Sequence, residues 1–311
     1  MSKTTIFYAT TPSALSATNP HITVEAEYGD FTVTGSQLTF AHHGVNSHNR
    51  CPAVSWERNF SRCTWFVTDI SGQQEVWPEM LVKEGELRIG VSHFDLDTLL
   101  GLFWILRPWT EVPEEFRRLA EFVDLNGVHE LLKQLDRWST KTLDQYWAFC
   151  ALSQDYRLAK PPKAEEAVEV TEFFRDFAGM LCAIFDGNES YLIKGRAWFA
   201  AQDKLEKESR VATFDDNTVV LRKSPQFVNH LYSDCDGVAA YNETTKSYTL
   251  STAVEWPGWS VGEFCKALWG PEAGGHAQIG GSPRGVEYDG SEMYAVGEAF
   301  SKALKALKEN K

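Results

Sequence analysis

Residues 87–107 read LRIGVSHFDLDTLLGLFWILR. The opening LRIGVS is an apolar run of strand length, and LLGLFWIL at 99–106 suits a buried helix while falling far short of a bilayer span. Between them His93, Asp95 and Asp97 stand at alternate positions. On an extended chain residues two apart point the same way, so the three side chains are expected to project together from the strand's C-terminal end. Two carboxylates and an imidazole set side by side are costly to bury unless a cation compensates them, which makes the trio a candidate metal-ligand set. A plainer reading is a solvated turn in which Asp97 caps the following helix and His93 is merely hydrogen-bonded. The context favours the metal, because α/β proteins place ligands at the carboxyl ends of their strands.

Upstream, strands are expected at 5–8, 22–28, 30–34 and 37–40, with turn residues at 28–30 and 35–36 arranging them as a meander. The last strand delivers the chain into Ala41-His42-His43-Gly44, a second candidate for metal or phosphate chemistry. Neighbours on a strand face opposite ways, so one of His42 and His43 is expected to enter a given site. His48 and Arg50 read as loop residues, 55–69 as a further strand and 72–85 as a loop. Downstream, two prolines within 108–113 break the helix, and 114–122 has helical spacing. The next residues, FVDLNGVH at 122–129, form the third candidate: Asp124 follows a short apolar run, with His129 five positions on. Read blandly, Asn126-Gly127 is a tight turn and His129 opens another helix.

The 311 residues are 43% hydrophobic and 23% charged, an ordinary globular composition of a length that allows two domains. A formal net charge of −13 argues against tracking a long nucleic-acid backbone, which needs a basic surface. The first residues lack a signal-peptide core, and a cytoplasmic location is expected. Six cysteines show neither a CxxC pair nor zinc-type spacing and read as reduced residues. Residues 130–152 carry aromatics at helical spacing, read as core. After the break at Lys160-Pro161-Pro162-Lys163, helices are expected at 164–185 and 191–211, bridging two domains. Strands follow at 218–222, 237–242 and 247–252, the last two joined by a hairpin, and then a helix at 261–269. Next comes the glycine-rich loop PEAGGHAQIGGSPRG at 271–285. Its amides could cradle an anion while His276 and Arg284 donate charge-assisted hydrogen bonds, although such a loop can equally be a plain connection.

SHFDLDTLLG resembles the first signature of the DHH phosphoesterase superfamily, FVDLNG is similar to the second, a lone aspartate ending a neighbouring strand, and LTFAHHG resembles the defining Asp-His-His segment. Ala41 stands where that family has its aspartate, and the histidine pair precedes the first signature instead of following it, which suggests a permuted or rebuilt sheet. TKSYTLST followed by FCKALWGPEAGGHAQIGG is similar to the DHH-associated C-terminal domain and its Gly-Gly-Gly-His loop, with Ala273 replacing the first glycine.

The resemblance implies an α/β protein: a doubly wound, mostly parallel sheet domain at 1–155, a helical linker at 156–215 and a smaller α/β domain at 216–311. It implies a metal-dependent phosphoesterase in which Asp95, Asp97 and Asp124 ligate metal and His93 is a ligand or supports one. One of His42 and His43 would coordinate, His43 being the expected one, and the other would contact phosphate or act as general acid. Gly274, Gly275 and His276 would hold the far end of the substrate, and to these we add Arg284. Two ions would activate a water, with Mn2+ suiting the mixed aspartate and histidine set better than Mg2+, which remains an option. The expected substrate is a small phosphoester: a short oligonucleotide, a cyclic dinucleotide or a nucleotide bisphosphate. The alternative is a degenerate member that binds or sequesters a nucleotide without cutting it, since alanine cannot ligate a metal.

Overall fold

The computed structural model describes residues 3–28, 31–33, 35–36, 38–42, 86–106, 112–155, 162–216, 218–228, 230–232 and 235–309. His43, His48, Arg50, the strand expected at 55–69 and the loop at 72–85 lie outside the described residues. The chain divides into two compact units, Met1–Leu125 with Trp138–Gly195, and Asn126–Arg137 with Arg196–Lys311.

The first unit opens with β1 (Lys3–Ala9), α1 (Pro12–Ser16), β2 (Ile22–Val24), the hairpin β3 (Glu27–Tyr28) and β4 (Phe31–Thr32), and β5 (Leu38–Phe40). It continues with β6 (Glu86–Val91), α2 (Leu96–Leu106), α3 (Glu114–Asn126), α4 (Val128–Lys133, in the second unit), α5 (Thr140–Asp155), β7 (Ala167–Glu169), α6 (Thr171–Phe185) and α7 (Glu189–Ala200). Five strands form one sheet in the order β5-β2-β6-β1-β7, the first four mutually parallel and β7 antiparallel to β1. This is the mostly parallel α/β sheet expected. Ile6 and Ile89, paired in register, are wholly buried, as strands covered on both faces require. Helix α2 buries Leu99, Leu100, Leu102, Phe103 and Ile105 around its circumference, in keeping with its unbroken apolar sequence.

Several expectations are corrected. The N-terminal strands are not a meander: β1, β2 and β5 run parallel, and only β3 and β4 pair as a hairpin, around the expected turn. Helix α1, capped by Thr11, whose side chain accepts from the Ala14 amide, lies between β1 and β2 and returns the chain for a parallel pairing. The strand expected at 22–28 stops at Val24 because Glu25 adopts φ 46°, outside the extended region. Asp124 does not end a strand but sits near the end of helix α3, which buries Phe116, Leu119 and Ala120 at helical spacing; a short apolar run reads equally as strand or helix. The helix expected from 164 begins at Thr171, since Ala167–Glu169 pairs with β1. The helix expected over 191–211 is two helices that end in a strand.

The second unit holds α8 (Gln202–Ser209), β8 (Arg210–Phe214), β9 (Val219–Ser224), β10 (Gly237–Asn242), β11 (Ser247–Thr252), α9 (Val261–Trp269), β12 (Gly274–Gly275), β13 (Ile279–Gly281) and α10 (Met293–Glu309). Its sheet order is β12-β13-β11-β10-β9-β8, with only β9 and β10 parallel. Val296, Phe300 and Leu304 of α10, spaced by four, pack with Val261 and Cys265 of α9 against Val219, Leu221, Ala239 and Leu250. On another cluster Val238 and Ala240 meet Val228, Leu231 and Leu205. Arg222, fully buried, donates to the Leu231 carbonyl at 2.8 Å, to Glu206 Oε1 at 3.0 Å and to Ser209 Oγ at 3.2 Å, and so fastens α8 to β9. The four cysteines among the described residues are free thiols. No helix of the described residues is long and apolar enough to cross a membrane.

Candidate metal centre

Parallel pairing brings the carboxyl ends of β5, β2 and β6 to one edge, with Val24 in register with both Phe40 and Val91. The next residues in the three strands, Glu25, Ala41 and Ser92, therefore leave the sheet side by side, where open α/β sheets bind ligands. The Glu25 amide donates to the Phe40 carbonyl at 2.8 Å, and Ser92 Oγ donates to the Glu25 carbonyl, locking the three ends together.

His42, one residue beyond Ala41, is 7% exposed. Its Nε2 lies 3.3 Å from Asp97 Oδ2 and 3.0 Å from Asp124 Oδ2. Donor atoms of Glu25, His42 and Asp97 all fall within 4.8 Å of one another, and all three residues are buried. Asp97 comes from the first turn of α2, Asp124 from the end of α3, and Glu25 and His42 from strand ends. Burial by itself would lower the His42 pKa, but the close Asp124 and Asp97 carboxylates and the charge of Glu25 raise it to about 11 in the absence of a cation. Burial pushes the Asp124 carboxyl up; His42 draws it back, and the charges of Asp97 and Asp95 push it further. Three carboxylates thus face one imidazole, a donor set that a divalent cation can hold once the ring is neutral.

The H-F-D-L-D segment does not act as one extended ligand strip. The helix starts at Leu96, so Asp97 turns inward with the helix while His93 and Asp95 pair with each other, Nε2 to Oδ2, at 2.8 Å. Asp95, not Asp97, caps α2: its Oδ1 accepts from the Thr98 amide at 2.9 Å. The protein packed around the partly exposed Asp95 carboxylate opposes its charge, but the His93 charge and hydrogen bond, together with the Thr98 amide, hold its pKa far below the ordinary range. Ser92 Oγ, whose proton goes to the Glu25 carbonyl, lies 2.9 Å from His93 Nδ1, so both ring nitrogens of His93 have partners. His93 is 22% and Asp95 45% exposed in their side chains, which leaves this pair reachable from solvent.

Of the expected site residues, then, His42, Asp97 and Asp124 meet directly. His93 and Asp95 form an adjoining pair, with Asp95 close enough for its charge to act on Asp124. His43 lies outside the described residues. Glu25 escapes the sequence reading because it is one of two alternating glutamates in ITVEAEY, a pattern that looks like outward-facing strand residues; the only cue is an acid closing the apolar run at 22–24. His129 falls in the second unit, its ring 4.7 Å from that of Tyr232, and burial lowers its pKa.

In the second unit the glycine-rich segment is a hairpin, β12 paired with β13, that packs on the start of α9. The α9 amides of Val261 and Gly262 donate to the carbonyls of Ala277 and His276, and that of Glu263 donates to Ser260 Oγ. These donors are consumed within the fold, so α9's N-terminus offers them to no anion. The glycines have a packing reason as well: a Cβ on Gly262 would come within 2.6 Å of the Gly275 carbonyl oxygen, and Gly275, at φ 150°, would clash at 2.2 Å with that of Ile279. His276 is half-buried and Arg284 exposed.

No protein-family model matches the sequence, and no curated protein matches it. Among solved structures, the pGpG-specific phosphodiesterase PggH from Vibrio cholerae aligns over 68% of this chain and 73% of its own, with 11% identity and a TM-score of 0.32. A likeness at that level transfers neither residue roles nor activity.

Proposed function

We propose that this chain is a divalent-metal-dependent phosphoesterase of the DHH type, acting on a small nucleotide phosphoester. The observation that carries the reading is the meeting of His42, Asp97 and Asp124 at the carboxyl edge of a parallel sheet, His42 and Asp97 buried and Asp124 nearly so. Nitrogen and oxygen donors mixed in this way suit Mn2+, with Mg2+ the weaker choice. His42, Asp97 and Asp124 would hold one ion, and a second would draw on Asp95 and Asp124. When bound, such ions acidify a water and stabilise charge developing on a phosphoryl oxygen.

The chain's own groups then have separate tasks. Asp97 and Asp124 flank the His42 Nε2 at 3.3 and 3.0 Å, so the three donor atoms already converge on one point. Asp95 holds the His93 ring while capping α2, which ties the reachable imidazole to a rigid helix. His93 would pass a proton to the departing oxygen on letting go of Asp95, and His43 would contact phosphate. In the second unit the segment with Gly274, Gly275, His276 and Arg284 would bind an anionic group, with the two side chains supplying the charge, since the neighbouring helix amides are spent.

The test is to strip metal from the protein, add back Mn2+ or buffer, and follow products from cyclic dinucleotides, linear dinucleotides, short single strands and adenosine bisphosphate. Turnover that needs Mn2+ and disappears in the Asp95→Ala, Asp97→Ala double variant is expected. Tight binding of one of these compounds without turnover would favour a sequestering protein instead.

A further inference from the structure

We infer that Glu25 is a direct ligand of this metal centre, supplying from β2 the carboxylate that Ala41 does not supply from β5. The inference rests on the metal-centre reading above but not on hydrolysis. Strands β2 and β5 are parallel, with Val24 opposite Phe40, so Glu25 and Ala41 are the next pair along. The Glu25 amide fixes that register by donating to the Phe40 carbonyl at 2.8 Å. Both residues are buried, at about the same depth, with 1% exposure each. The alanine brings a methyl group to this edge; the glutamate brings a carboxylate whose donor atom lies within 4.8 Å of those of His42 and Asp97.

Chemistry selects a cation over the alternatives for this group. Ligands about 2.1 Å from a small divalent ion stand roughly 3–4 Å from one another, so the three donors need only a small inward movement to surround one. The His42 to Asp97 separation of 3.3 Å already has that spacing. A carboxylate, a second carboxylate and an imidazole from three separate chain segments make a set that suits a borderline ion such as Mn2+. Glu25 also holds a left-handed backbone, φ 46°, which a non-glycine residue keeps only where its surroundings over-determine it. That turn takes Glu25 out of the strand, while its own carbonyl is held by Ser92.

The experiment measures Mn2+ binding alone, by calorimetry and by the paramagnetic signal of free Mn2+, on the full chain. Glu25→Gln, which keeps the shape and removes the charge, is expected to weaken binding by more than about 100-fold, beyond the loss usual for residues that only support a ligand. Glu86→Gln, at the opposite end of β6 and paired there with Thr5 and Arg88, is expected to leave affinity within about threefold. Adding Ala41→Asp to Glu25→Gln is expected to restore at least about tenfold, because position 41 borders position 25. Wild-type affinity in Glu25→Gln, or a wild-type chain that binds no Mn2+, overturns the inference; no recovery with Ala41→Asp rejects the exchange between the two strands. If circular dichroism in chelator finds Glu25→Gln unfolded, Glu25→Asp takes its place, with a loss of about tenfold expected and unchanged affinity refuting. A chain that binds Mn2+ through Glu25 yet cuts nothing would keep this inference and remove the phosphoesterase reading.

Discussion

Gly195→Ala gives opposite answers when worked from the sequence and from the structure. Gly195 lies in the middle of α7, where alanine is the better helix former by about 1 kcal/mol, so the substitution should stabilise an isolated helix. In the folded chain α7 crosses α5 at this point. A Cβ there would stand 2.3 Å from the Ala148 nitrogen, 2.6 Å from its Cα and 2.6 Å from the Trp147 carbonyl carbon. All three are backbone atoms of a helix whose Trp147 and Ala148 are buried, so no side chain can swing aside, and α7 must retreat by more than about 1 Å to reach van der Waals contact. Overpacking of this kind costs about 1–3 kcal/mol, and rigid neighbours place it at the upper end. After the helix-propensity gain, a net loss of about 2 kcal/mol is expected. For a unit of this size that lowers the melting temperature by roughly 4–8 °C. Urea unfolding would read it as a lower midpoint at unchanged slope. A variant as stable as wild type, or more stable, would refute the close crossing of α5 and α7.

Other perturbations have equally definite outcomes. His230, 7% exposed and donating to Gln202 Oε1 at 3.0 Å, has its pKa lowered to about 4 by burial, by the Arg222 guanidinium and by His129, with Glu206 acting the other way. The folded state therefore binds fewer protons than the unfolded one between about pH 6.5 and 4; stability should be full above that window and fall by about 3 kcal/mol through it, and His230→Gln should flatten the profile of unfolding free energy against pH. Asp95→Asn keeps an N-cap acceptor for α2 and should leave stability near wild type while turnover drops, whereas Asp95→Ala should lose about 1 kcal/mol as well; chemical unfolding and product release separate the two effects. Saturating the metal-stripped protein with Mn2+ at 100 times its dissociation constant should raise the unfolding free energy by about 2.7 kcal/mol, a gain that chelator reverses and Asp97→Asn abolishes. Arg222→Met should destabilise the second unit by about 3 kcal/mol or more, because the Glu206 carboxylate and the Leu231 carbonyl lose their donor; unchanged melting would show that the buried guanidinium fastens nothing.

Much of the architecture was legible from periodicity and turn chemistry, which act over a few residues. The strand before His93, the unbroken apolar helix after it, the 243–246 hairpin and the helix at 261–269 all appear where local pattern puts them. His42, Asp97 and Asp124 also stand out in one dimension, as a histidine or aspartate beside an apolar run does, although Asp124 lies on a helix and not at a strand end. Which residues meet is another matter, since it depends on strand order. Parallel pairing of β2, β6 and β5 sets Glu25 next to His42 and Asp97, although Asp97 lies 72 positions after Glu25 along the chain. The helix start at Leu96 turns Asp97 inward and leaves Asp95 to cap, a division that the even spacing of H-F-D-L-D conceals. The glycines of the 271–285 segment likewise suggested an anion cradle, and the packed hairpin shows that Gly275, with Gly262 of α9 beside it, admits a neighbouring backbone. Local sequence determined the elements and the supply of polar side chains at their ends; burial, pairing and close approach, which are properties of residues distant in sequence, decided which of those side chains share a charge.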